Sequence, residues 1–82
     1  MIEKLLNLRQ RLAGTNSSID HPDFFLQYAV NDVIENTKHG YADDYAAYAD
    51  RMILESLAST DTTVYTKEYA LGYTKVLEML TA

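Results

Sequence analysis

An 82-residue chain with 48% hydrophobic residues, no cysteine and a formal net charge of −5 is long enough for one domain with a core and no more. The missing cysteine excludes disulfide staples and thiolate metal sites, and it makes a reducing cytoplasm the expected compartment. Twelve acidic residues against seven basic ones argue against direct nucleic-acid binding and anionic membrane surfaces, which both need clustered Lys and Arg, and no segment approaches the roughly 20 apolar residues of a membrane span.

The first helix is expected over residues 2–13. Met1, Leu5, Leu8 and Leu12 recur at helical spacing, and Ile2 and Leu6 widen the stripe. Charges within this apolar pattern (Glu3, Lys4, Arg9) are unlike a signal peptide. Gly14 is the expected stop, before a polar loop at Thr15-Asn16-Ser17-Ser18.

The second helix is expected over 21–38. Asp20 is placed to cap it, with Pro22 in the first turn and Asp23 echoing a capping box. Ile19 and Phe24 fall at the positions of a hydrophobic staple. Lys38, His39 and Gly40 mark the end. Leu26, Val30 and Val33 form the expected buried stripe. At about 100° per residue, Phe24, Tyr28, Asp32 and Glu35 fall roughly opposite, on a face that starts aromatic and ends acidic.

The third helix is expected over 42–58, with Asp43 and Asp44 in the first turn favoured by the helix dipole. Tyr41, Tyr45, Tyr48 and Met52 form one stripe, and Ala42, Ala46, Ala49, Ile53 and Leu57 form its neighbour. Asp43 and Asp50 lie on one edge of the polar face; Asp44, Arg51 and Glu55 lie on the other.

The fourth helix is expected over 63–80, after a loop rich in capping residues. Tyr65, Tyr69, Gly72, Val76 and Leu80 share a face. A glycine inside a helix costs about 1 kcal/mol relative to alanine, so Gly72 implies close contact with another helix. Val64 and Leu71 fall on the outer face. The four elements predict an all-α fold: a small bundle of three to four antiparallel helices (2–13, 21–38, 42–58, 63–80) in a single domain spanning 1–82.

No chemistry-bearing motif appears. Neither His21 nor His39 has a strong ligand partner at helical spacing, and His39 is explained by the helix dipole. Asp43 and Asp44 point to different sides of a helix and do not converge as acid–base catalysis requires. There is no Gly-rich phosphate loop, no nucleophile elbow and no Cys–His pair. A non-enzymatic protein with no cofactor and no metal is expected.

The charge distribution carries the functional expectation. From Asp20 to Asp61, nine acidic residues face two basic ones, so this segment holds −7 while residues 1–14 hold +2. Seven tyrosines run through the last two-thirds of the chain. Tyrosine suits interfaces because it offers a large contact area and a polar tip at low entropic cost. The expected partner-binding surface is Asp32, Glu35, Tyr41, Asp43, Asp44, Tyr45, Tyr48, Asp50 and Glu55, on the second and third helices. Such a surface fits a protein partner with a basic, nucleic-acid-binding cleft. In size and composition the chain resembles accessory proteins of compact genomes such as phages, which implies an inhibitor or adaptor of a host enzyme. The alternative is a self-associating or ligand-sequestering protein whose tyrosines line an interface.

Overall fold

The computed structural model describes residues 2–13, 21, 23–59 and 64–82. They form four helices: α1 (Ile2–Leu12), α2 (Phe24–Lys38), α3 (Tyr45–Ala58) and α4 (Val64–Thr81). No strand occurs among the described residues. Asp20, Pro22, Ile19, Met1 and Gly14, invoked above as caps, staple, stripe or stop, lie outside them.

The leucine stripe of α1 works as its spacing predicts, and Leu5, Leu8 and Leu12 are all buried. This helix runs antiparallel to α2. The Gln27 side-chain Nε2 donates to the carbonyl of Leu12 at 3.0 Å, which helps satisfy the acceptors at the end of α1. Farther along the pair, the Arg9 guanidinium meets Glu35 at 3.0 Å.

The second helix starts at Phe24 rather than at residue 21. Asp23 holds the N-cap position without a side-chain cap bond. The first turn is instead anchored by His21, whose Nδ1 accepts from the Asp23 amide at 3.1 Å and whose carbonyl accepts from the Phe24 amide at 3.0 Å. The C-terminal stop is as expected. Gly40 takes a φ of +79°, the Gly40 amide donates to Thr37 O at 3.2 Å, and the Tyr41 amide reaches back to Asn36 O at 2.8 Å. This pair of bonds is a Schellman closure, which glycine makes without steric cost.

The third helix also starts later than expected, at Tyr45 rather than 42. Asp43 and Asp44 are not in its first turn. Asp44 has extended backbone, and its Oδ1 accepts from the Ala46 amide (2.7 Å) and the Ala47 amide (3.2 Å). A side-chain cap of this kind requires the capping residue to stand outside the helix.

Helix α2 is the middle of the bundle and is therefore buried over a wide arc. Phe25, Ala29, Val30, Val33 and Ile34 are all buried. Leu26, expected in the buried stripe, is only partly so. One flank of α2 packs on α1 and the other on α4 and α3. Tyr28 and Phe25 meet Tyr69, and Asp32 meets Tyr73, so α2 and α4 run parallel, with α3 returning antiparallel between them.

Gly72 explains how closely α2 and α4 approach. A Cβ there would stand 2.7 Å from the Phe25 carbonyl oxygen and 3.5 Å from the Ala29 Cβ. The close helix contact expected from the sequence is thus present. The neighbouring stripe of α3 is less buried than expected: Ala49 is in the core, but Leu57 is 65% exposed. Leu71 is 53% exposed on α4, as its outward position predicts; the Val64 side chain lies outside the described residues. No helix among the described residues is long and apolar enough to cross a membrane.

Candidate functional site

The polar centre of the molecule is Asp32. The helical spacing of Tyr28, Asp32 and Asn36 places them on one stripe of α2, and α3 and α4 close over that stripe. Tyr48 on α3 donates its hydroxyl to Asp32 Oδ2 at 2.7 Å, and Tyr73 on α4 donates to the same oxygen at 2.5 Å. Asn36 Nδ2 donates to Oδ1 at 2.7 Å. One carboxylate thus ties three helices together. Asp32 belongs to this internal network and not to the outward acidic face on which the sequence pattern placed it.

The network changes the chemistry of its tyrosines. Burial, then the hydrogen bond to Asp32 and its negative charge, raise the hydroxyls of Tyr73 and Tyr48 far above the ordinary tyrosine value. Tyr28 is raised as well, by burial and by the charge of Asp32, with its hydrogen-bonding interaction with Tyr73 opposing. These groups stay protonated donors at every physiological pH.

Glu35 also has partners within the chain. Arg9 Nη1 lies 3.0 Å from one of its carboxylate oxygens and His39 Nε2 lies 3.0 Å from the other. Bonds from Arg9, then from His39, hold the Glu35 carboxyl below its ordinary range. His39 is the C-cap of α2, and its ring meets the Glu35 carboxylate. No group of three metal-ligating side chains occurs among the described residues.

The remaining expected residues gather at the α2–α3 corner and along α3. Tyr41 is 75% exposed, the most open large hydrophobic side chain described. Asp43 and Asp44 are exposed beside it, although Asp44 is committed through one oxygen to its cap. Tyr45 is half-buried and Tyr48 is buried. Arg51 lies 5.4 Å from the Tyr48 ring centroid, a cation–π stack. Tyr41, Asp43, Asp44, Tyr48 and Arg51 border a shallow 170 Å³ hollow. Asp50 and Glu55 are exposed on α3.

Two features were not foreseen. The first is the outward run of α3. Ala47, Asp50, Leu54 and Leu57 follow one another at +3, +4 and +3, all are exposed, and Asp43 is exposed just before the helix. Leu54 stands 61% open. The second is a 290 Å³ groove where α2, α3 and α4 meet, walled by Tyr28, Tyr69, Tyr73 and Met52, with Glu55 on its rim. Its sequence signal was the +4 pair Tyr69–Tyr73, together with Tyr28. Which neighbours those rings would meet depends on helix placement.

A larger hollow of 520 Å³ lies between α1 and α2, bordered by Leu6, Arg9, Gln10 and Gln27. Two of its polar members, Arg9 and Gln27, already bond within the chain. Comparison with protein families, with curated proteins and with solved structures gives no match in any of the three.

Proposed function

We propose that this protein is a non-enzymatic protein–protein interaction module that docks through the α2–α3 corner and the outward face of α3. Its partner is a protein with a basic surface, and the sharper form of the reading is an inhibitor or adaptor occupying a nucleic-acid-binding cleft. The observation that carries it is the exposed α3 run Ala47–Asp50–Leu54–Leu57, with exposed Asp43 and Tyr41 in the segment just before it. Protein interfaces combine an apolar centre rich in aromatic and aliphatic anchors with a polar rim. Here Leu54 and Leu57 supply the apolar end and Asp43 and Asp50 the charged end. Arg51 is the one cation on this helix.

The test separates binding from folding. Asp44 caps α3, so it is left intact, and Asp43→Lys and Asp50→Lys are combined. Tagged wild type and variant are used to capture proteins from a host lysate at low and high salt. The expected result is a near-stoichiometric partner retained by the wild type at low salt, released at high salt and lost by the variant, whose helicity is unchanged. Opposite-charge attraction is screened beyond roughly 10 Å at 0.1 M salt. Equal capture by the variant overturns the reading.

The exposed Leu71 on α4, with Leu54 and Leu57 on α3, favours a second reading, self-association. Sedimentation at micromolar concentration decides it: a strict monomer removes it.

A further inference from the structure

The groove between α2, α3 and α4 has a composition that no part of the docking surface explains. Three tyrosine rings border it at steep mutual angles. Tyr28 and Tyr69 lie 4.9 Å apart at 61°, and Tyr28 and Tyr73 lie 6.4 Å apart at 87°. Tyr28 is 46% exposed, so its ring is open to an incoming molecule, while Tyr73 forms the buried floor. The Met52 side chain adds a soft, polarisable wall. The 290 Å³ volume admits a small molecule and not a helix.

The charge of the groove has one sign. Glu55 stands on the rim and no Lys or Arg is among the described residues that border it. Behind the floor, the Tyr73 hydroxyl donates to the Asp32 carboxylate at 2.5 Å. A phenol that donates to a carboxylate carries more electron density on its ring. The ring face then attracts cations more strongly. Faces of aromatic rings at several angles, with a carboxylate beside them, are the arrangement that recognises methylated ammonium groups.

We infer that this groove binds a small methylated ammonium compound, with the cation held against Tyr28 and Tyr69 over the Tyr73 floor and paired with Glu55. The methyl groups of such a ligand fill an apolar, aromatic space, while its charge is delocalised enough to leave water at modest cost. A primary ammonium is hydrated too strongly to gain as much, and an anion is repelled by Glu55 and Asp32. The head group is presented either by a free solute or by a choline lipid.

The test is a titration of the full chain followed by NMR. The probes are choline chloride, tetramethylammonium chloride, the neutral isostere 3,3-dimethylbutanol, and sodium chloride at matched ionic strength. The expected result is saturable shifts at Tyr28, Tyr69, Tyr73 and Met52 with both cations, and binding of the neutral isostere weaker by about tenfold or more. Glu55→Gln weakens choline binding several-fold, and because Glu55 is exposed this variant folds. Tyr28→Ala abolishes binding, whereas Tyr28→Phe keeps it. Cosedimentation with phosphatidylcholine vesicles assigns the lipid head group, and saturation by choline without cosedimentation assigns a free solute. Equal shifts from the neutral isostere or from sodium chloride overturn the inference, as does choline binding unaffected by Glu55→Gln and Tyr28→Ala together. This result is independent of the docking surface, since Asp43 and Asp50 take no part in it.

Discussion

The Tyr73 hydroxyl and the Asp32 carboxylate meet at 2.5 Å across α4 and α2, and Tyr48 shares the same oxygen from α3. Removing Asp32 leaves two buried or nearly buried hydroxyls without their acceptor. A buried polar group left unpaired costs about 1–3 kcal/mol. Asp32→Ala is therefore expected to lower stability by about 3 kcal/mol, and Tyr73→Phe alone by about 1–2 kcal/mol. In urea denaturation the double variant should cost less than the sum, because the two groups share one interaction. Strict additivity would show that the contact contributes nothing.

The same contact sets an alkaline limit. The hydroxyls of Tyr48 and Tyr73 are raised in the folded state above the ordinary value of 10.0. Their protonated forms are favoured by folding, so this contribution is fully present below pH 10 and is lost as the pH rises beyond it. Phenolate absorbance and helicity, followed together, should show these two groups ionising only as the helices melt. Replacing either with Phe removes one phenolate from that late phase. Ionisation of both with helicity intact would sink the argument.

Glu35 supplies the opposite sign at the acid end. Its carboxyl is lowered by Arg9 and His39, so its contribution is present above the ordinary value of 4.5 and declines as the pH falls through the lower folded value. The pair is half-exposed, so the effect is small and sensitive to salt. In thermal melts, Glu35→Gln should flatten the acid limb of the stability profile; an unchanged limb would assign the acid sensitivity elsewhere.

Gly72 and Gly40 predict different losses. Alanine at 72 would gain about 1 kcal/mol in helix propensity, but its Cβ would stand 2.7 Å from the Phe25 carbonyl oxygen. Backbone must shift, so Gly72→Ala is expected to destabilise by about 2 kcal/mol net. At Gly40 nothing lies within 4 Å, and the cost of Gly40→Ala is only that of a positive φ, about 1 kcal/mol. Unfolding midpoints check the order; a Gly72→Ala variant as stable as wild type would refute the close helix contact.

Asp44 offers a control for the docking surface. Its carboxylate caps α3, so Asp44→Ala should cost about 1 kcal/mol and Asp44→Asn little. Loss of partner binding in Asp44→Ala at full helicity, with stability unchanged, would give this residue a binding role in place of its cap.

Four helices and most of their ends were legible in the sequence because their signals are local. The leucine spacing of α1 and the Gly40 stop each act within a turn or two of chain, whereas Gly72 marked a close helix contact without saying that α2 would make it. The starts of α2 and α3 were displaced for a local reason too: an Asp before a helix serves as a cap outside it or as a first-turn charge, and the pattern alone does not choose. The direction of Asp32 was not legible. Its stripe is polar on paper, and only the placement of α3 and α4 over it turned a surface acid into the hub of three helices. Leu57 shows the converse, an apolar residue left outside because none of the other three helices packs on that side of α3. A helix carries its periodicity in its own residues, but which side of it becomes interior depends on where the other three helices lie.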